Sequence, residues 1–171
     1  MTKRDVRETE SVLRHWHQQV PDDRMAHLVR DASRLLAKSL QRRLAEHGVS
    51  FGHWSFLRIL WATEGLSQRE LSDQAGVMEP TTFTALKAME ANGLIERRHL
   101  NGNRRKQHIF LTDKGKELKD VLTPLAEEVN HIALAGVSEA ESEATRKTLL
   151  TMIDNLAVDN QSSESEGEPD G

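Results

Sequence analysis

The chain of 171 residues contains no cysteine. That excludes a structural disulfide, a thiolate zinc site and a cysteine-based peroxide switch. No apolar run approaches the about 18 residues that a membrane-spanning helix needs. The opening Met1-Thr2-Lys3-Arg4-Asp5 lacks the apolar stretch of a signal peptide. A cytoplasmic protein with no membrane partner is the expectation. The signatures of catalysis are missing too: there is no Gly-rich phosphate loop, no nucleophile elbow and no His-Glu-x-x-His pair. The acidic residues fall on helix surfaces, where solvation is their ordinary role. His15 and His17 flank Trp16 as a possible metal pair, but nothing nearby offers a third ligand. Neither an enzyme nor a cofactor or metal is expected.

The net charge is −4, and its distribution matters more than its sign. From Asp159 to Gly171 there are five acidic residues (Asp159, Glu164, Glu166, Glu168 and Asp170) and no basic one. Without those five, the 27 acidic residues fall to 22 against 23 basic, a balance of +1. The Ser/Glu/Gly/Pro composition of this tail predicts disorder. Solubility is its favoured role; weak competition with DNA for basic groups is the alternative.

What is present is concentrated between residues 67 and 116. Ser67 and Glu70 have the spacing of a capping box, in which each side chain satisfies the other's backbone N–H. Leu71 and Ala75 follow on one buried stripe, and Gly76 ends the helix. Val77 can plug the turn. Pro80 suits the first turn of a second helix, whose apolar face is Leu86, Met89 and either Thr82 or Ala85, and Gly93 closes it after Asn92. Two helices joined by so short a turn match a helix-turn-helix.

The second helix is the candidate recognition helix. Thr81, Thr82, Thr84 and Lys87 on it can meet phosphates or base edges, and the free N–H groups at its start favour a phosphate. Ser67, Gln68 and Pro80 at the helix starts join them as candidate DNA contacts. Two short strands follow, Leu94–Arg97 and Gln107–Leu111, around the turn signal Asn101-Gly102-Asn103. From Arg97 to Lys106 there are five basic residues (Arg97, Arg98, Arg104, Arg105 and Lys106) and no acidic one. A hairpin tip with two arginines can enter a narrow minor groove. A solvated basic turn is the alternative, disfavoured by the helix-turn-helix directly before it.

These residues resemble the MarR/SlyA family of bacterial winged-helix repressors, over roughly Asp22 to Leu156. The specific parts are the run from Leu86 to Arg97, the tip Asn103-Arg104-Arg105 and the close Leu111-Thr112-Asp113-Lys114-Gly115. The resemblance implies a triangular obligate homodimer that is bacterial and, when bound to DNA, lies on the nucleoid. It also implies a small ligand that binds between the dimerisation and DNA-binding parts and releases the DNA. The chain departs from the family in two places. Asn103 stands where the family usually has Asp, so no ion pair orients the wing there. Thr84 stands where the family often has Arg, which shifts affinity toward the wing and Lys87.

Outside this unit the pattern is helical. Asp22 to His47 carries Met25, Leu28, Val29, Leu35, Leu36, Leu40 and Leu44 at spacings of three and four. A short helix from about Gly52 to Thr63 presents Trp54, Leu57, Leu60 and Trp61. Thr112 caps a long helix to about Ala135, which Pro124 is expected to bend. Ser138 and Glu141 form a second capping box, opening a last helix through Leu149, Ile153 and Leu156. The first helix and the last two carry more apolar surface than a small winged core can cover. A two-fold dimer would cover it, and would set two recognition helices about 34 Å apart on a pseudo-palindrome.

The expected fold is mainly α, an α+β winged helix. It divides into a flexible segment 1–21, an N-terminal dimerisation helix 22–50, a winged helix-turn-helix unit 51–116, C-terminal dimerisation helices 117–158 and the acidic tail 159–171. Candidate ligand contacts are His27, Arg30 and Arg34 on the first helix with His53, Trp54 and Trp61 on the second. Arginine suits a carboxylate and the rings suit an aromatic body, so an aromatic acid or a related thioester is the expected effector. Core tryptophans with solvated arginines are the alternative. The expected function is a homodimeric, sequence-specific repressor of double-stranded DNA. A winged helix that binds protein, and a non-specific architectural DNA binder, are the competing readings.

Overall fold

The computed structural model describes residues 25–99 and 107–165. Six helices and a three-stranded sheet follow in the order α1 (Met25–Ala45), α2 (Phe51–Ala62), β1 (Leu66–Ser67), α3 (Gln68–Ala75), α4 (Glu79–Ala91), β2 (Ile95–His99), β3 (Gln107–Leu111), α5 (Asp113–Ala133) and α6 (Glu139–Ser165). The fold is mainly helical with a small antiparallel wing sheet, ordered β1-β3-β2. Ile95 pairs with Leu111 and His99 with Gln107 across the wing. The sequence pattern did not single out β1, because two residues cannot show an alternation. Its pairing of Leu66 with Ile109 and Ser67 with His108 is a tertiary event.

The chain has two compact units, one ending at Asn130 and the other starting at His131. In the first, Leu40, Leu44, Trp54, Phe56, Leu57, Leu60, Leu71, Leu86, Met89, Ile95, Ile109, Leu111 and Leu122 build one core. Each such side chain stabilises the fold by about 1.5–3 kcal/mol through burial alone. Helices α1 and α5 meet through Arg43, which grips Glu128 with two N–H groups at 2.9 and 3.1 Å and reaches the Ser39 carbonyl and hydroxyl with a third nitrogen. The guanidinium holds the Glu128 carboxyl below its ordinary pKa.

The entry to α5 is tightly pinned. Gly115 packs so close to the Leu94 carbonyl that a Cβ would lie 2.1 Å from its oxygen. The Gly115 carbonyl accepts the Trp61 indole N–H at 2.9 Å, and the Thr112 hydroxyl donates to the Gly93 carbonyl at 2.6 Å. The run Thr112-Asp113-Lys114-Gly115 thus ties the start of α5 to the end of α4 and to α2.

The second unit is different. Ser138 and Glu141 form the expected capping box, with the Ser138 N–H donating to Glu141 at 2.9 Å and the Glu141 N–H to the Ser138 hydroxyl at 3.3 Å. From Glu139 to Asn160 the helix they open contains no buried residue. Ile132, Ile153, Leu156 and Val158 are all more than half exposed. Helix α6 also runs on to Ser165, which corrects the expectation of a disordered tail starting at Asp159. Its Asp, Asn and Ser residues have low helix propensity, but Gln161 and Glu164 favour a helix and the run continues one that is already nucleated. Residues 166–171 lie outside the described residues, as do the segment 1–21 and the His15–His17 pair.

Candidate nucleic-acid interface and effector cavity

The helix-turn-helix is α3, a turn and α4. Ser67 is the N-cap of α3, and both halves of its capping box are made: Glu70 accepts the Ser67 N–H at 2.7 Å, and the Glu70 N–H donates to the Ser67 hydroxyl at 3.3 Å. Gly76 ends α3 at φ 64°, where a side chain would be strained. Pro80 sits in the first turn of α4, and Gly93 (φ 67°) follows its end.

The face α4 turns inward is set by Thr82, Leu86 and Met89, all fully buried. Thr82 therefore belongs to the interior and leaves the DNA-facing set, which corrects one of the two placements the sequence allowed. Its hydroxyl lies 2.8 Å from that of Ser72 on α3. Ser72 gives its one proton to the Gln68 carbonyl at 2.9 Å and so accepts from Thr82. With 3.6 residues per turn, the positions opposite the core are Pro80, Thr84 and Lys87, and all three are exposed. Thr84 returns its proton to the Pro80 carbonyl at 3.0 Å, leaving its lone pairs and methyl outward. Thr81 is also exposed and lines a groove with His53, Thr84 and the start of α2. Burial lowers the His53 pKa, favouring neutral imidazole.

Strand alternation sends the two wing arginines to opposite sides. The Arg97 Nε lies 3.2 Å from a Glu90 carboxylate oxygen, without the alignment of a hydrogen bond, and the guanidinium stands 5.9 Å from the Phe83 ring centre. Arg98 pairs with Glu96 and lies over Phe110 at 4.9 Å, with more than half of its side chain exposed. Asn103, Arg104, Arg105 and Lys106 lie outside the described residues, so their place at the wing tip stays an expectation. Ser67 is half-buried with its hydroxyl engaged in the cap, and Gln68 is half-buried beside it.

A cavity of about 380 Å³ opens between α2 and α5, lined by Trp54, Arg58, Trp61, Lys119, Thr123 and Glu127 among others. It falls within the roughly 300–1,000 Å³ typical of small-molecule sites. The two indoles meet edge to face, 5.5 Å apart at 72°.

Residues 49–106 match the profile of the MarR family. The HTH-type transcriptional regulator TtmR of Methylorubrum extorquens is 30% identical over 135 residues, which cover 79% of this chain and 68% of TtmR. This chain belongs to the MarR family. Two solved structures agree. The transcriptional regulator PA3341 is 32% identical with a TM-score of 0.71, covering 78% of this chain and 98% of its own. A MarR-family regulator from Listeria monocytogenes, solved with a 26mer DNA, is 25% identical with a TM-score of 0.73, covering 87% and 99%. The protein is a DNA-binding transcriptional regulator, and the MarR family is not a family of enzymes.

Within that MarR fold, the expected effector residues separate. Trp54 and Trp61 share the α2–α5 cavity. His53 lies in the groove beside α4 instead. His27, Arg30 and Arg34 are exposed on α1 and line neither; Arg30 and Arg34 both approach Asp31, at 3.4 and 3.8 Å. The cations that do line the cavity are Arg58 and Lys119, which sequence reasoning missed. Arg58 was findable, since it stands four residues after Trp54 and three before Trp61 on one helix. Lys119 was not, because only the packing of α5 on α2 brings it there. Among the described residues no group of His, Asp and Glu is placed to hold a metal, and no helix is long and apolar enough to cross a membrane.

Proposed function

We propose that this MarR-family protein is a homodimeric repressor of a pseudo-palindromic operator, released by a small anionic aromatic effector. The observation that carries the reading is the outward face of α4, where Pro80, Thr84 and Lys87 stand exposed on a helix whose other side is locked into the core. The Listeria relative, solved with a 26mer DNA, supports duplex DNA as the partner. Thr81, Thr84 and Lys87 read or approach bases, while Arg98 and the tip residues Arg104, Arg105 and Lys106 supply charge to the backbone and Asn103 a hydrogen-bonding amide. Phosphate contacts then make affinity strongly salt-dependent, and base contacts add about 1–3 kcal/mol each.

Dimerisation through α1, α5 and α6 accounts for the exposed Met25 and Leu28, for Val121, and for Ile153 and Leu156 on the last unit. The effector enters between α2 and α5, with its ring against Trp54 and Trp61 and its carboxylate toward Arg58 and Lys119. It weakens DNA binding only by its differential affinity for the state that cannot hold DNA. The test is a fluorescence-anisotropy titration against the intergenic DNA beside the protein's own gene. It is run with excess random duplex, then with a panel of aromatic acids. Binding that survives the competitor and falls with an acid supports the reading. Binding that the competitor abolishes favours a non-specific or protein-directed winged helix.

A further inference from the structure

Phe83 is the one large apolar side chain that α4 leaves half in solvent. It stands four residues before Lys87, so the two share a stripe on the helix surface, on the flank of the outward face that looks toward the wing strands. The ring is braced from that side: Arg97 lies 5.9 Å from its centre. The Arg97 side chain is itself only 17% exposed and faces Glu90 at 3.2 Å. The carboxylate neutralises the guanidinium, which therefore serves the ring better than it could serve a phosphate. A cation over an aromatic face is attracted by the ring's quadrupole. The result is an apolar edge held at a set angle beside the groove-facing residues.

Phenylalanine has no hydrogen-bonding group, so it cannot distinguish the donor and acceptor patterns of the base edges. The apolar feature that unmodified DNA presents in the major groove is the C5 methyl of thymine, and a phenyl ring packs on it. We propose that Phe83 is a specificity-determining residue that reads a thymine methyl in the operator. The Glu90–Arg97 pair acts as the positioning group that aims the ring. This rests on the reading of α4 as the recognition helix. It adds an apolar contact that Lys87 does not supply and that is separate from the Thr84 methyl.

The test starts by selecting binding sites for the full-length protein from a random duplex library. Each thymine of the selected site is then replaced by deoxyuridine, which removes the methyl group and nothing else. The expected result is one thymine per half-site at which deoxyuridine weakens wild-type binding about four-fold, the value of one buried methyl. At that position Phe83→Ala binds thymine and deoxyuridine alike. Phe83→Leu, which keeps an apolar side chain, retains part of the discrimination and guards against a folding artefact. Glu90→Gln frees the guanidinium, and should shrink the thymine effect at that one base while leaving the melting temperature near wild type. If Phe83→Ala loses affinity equally for thymine and deoxyuridine, the ring packs on sugar and the proposal is wrong. Should wild-type protein select no sequence at all, the recognition-helix reading falls and this inference with it.

Discussion

The winged unit and the last helical unit solve the same problem in opposite ways. In the winged unit the apolar residues of α2, α3, α4 and the sheet meet within one chain: Leu57, Leu71, Leu86 and Met89 are all but sealed from solvent. In α6 the apolar residues keep helical spacing, and none is buried. An amphipathic helix gains most of its stability from packing its apolar face. The winged part therefore closes its core within one chain, and α6 keeps an apolar face that the proposed dimer would cover.

The sharpest way to break the winged unit is Gly115→Ala. The added Cβ would overlap the Leu94 carbonyl, and relief requires α5 to move from the end of α4. A loss of about 3 kcal/mol is expected, at the upper end of overpacking costs, read as a lower melting temperature in calorimetry. The double change Ile153→Asp and Leu156→Asp should act on the other unit alone. Light scattering should give the mass of one chain in place of two. The melting temperature should also stop rising with protein concentration, since assembly no longer stabilises the fold by mass action. A double variant that stays dimeric would place the interface elsewhere.

Two threonines on opposite sides of α4 sharpen the comparison within that helix. Thr82→Val removes a buried hydroxyl partner and should cost about 1–2 kcal/mol of stability, measurable by urea unfolding. Thr84→Val should stay within about 0.5 kcal/mol, as exposed substitutions usually do, while changing the base preference in a selection experiment.

Acidity tests the groove between α2 and α4. Burial lowers the folded-state pKa of His53 from its ordinary 6.5. The unfolded chain then binds the proton first as pH falls below 6.5, so stability is full above that value and declines below it until the folded pKa is reached. His53→Gln should flatten this part of the stability-versus-pH curve. The smallest expected effect concerns the wing tip. Arg105→Ala should weaken binding across all sequences and reduce the salt slope by about 0.9, the share of a single phosphate. An unchanged affinity at moderate salt would remove the wing tip from the interface.

Much of the fold was legible in the chain because its signals are local. A capping box needs only Ser67 and Glu70, or Ser138 and Glu141, at a spacing of three. A helix end needs only a glycine able to take positive φ, as Gly76 does. The wing strands showed through their alternation and the turn between them. The candidate site was legible in part. Lys87 and Thr84 came from type and position on a helix. Thr82 did not resolve, since a threonine suits an interior hydroxyl pair as well as a base edge, and only the packing of α3 on α4 decides between them. Phe83 was passed over because an apolar residue in a helix is expected inside.

The order of the helices and wing strands, the helix-turn-helix, and the family were thus determined by the sequence itself, through period, caps and turns that act over a few residues. Tertiary structure alone decided that Thr82 is sealed inside α4's packed face, that Arg97 braces Phe83, and that Arg58 and Lys119 join the two tryptophans. Those outcomes depend on contacts between residues far apart in the chain, whose geometry is set when the core closes. Local spacing carries no information about that closure.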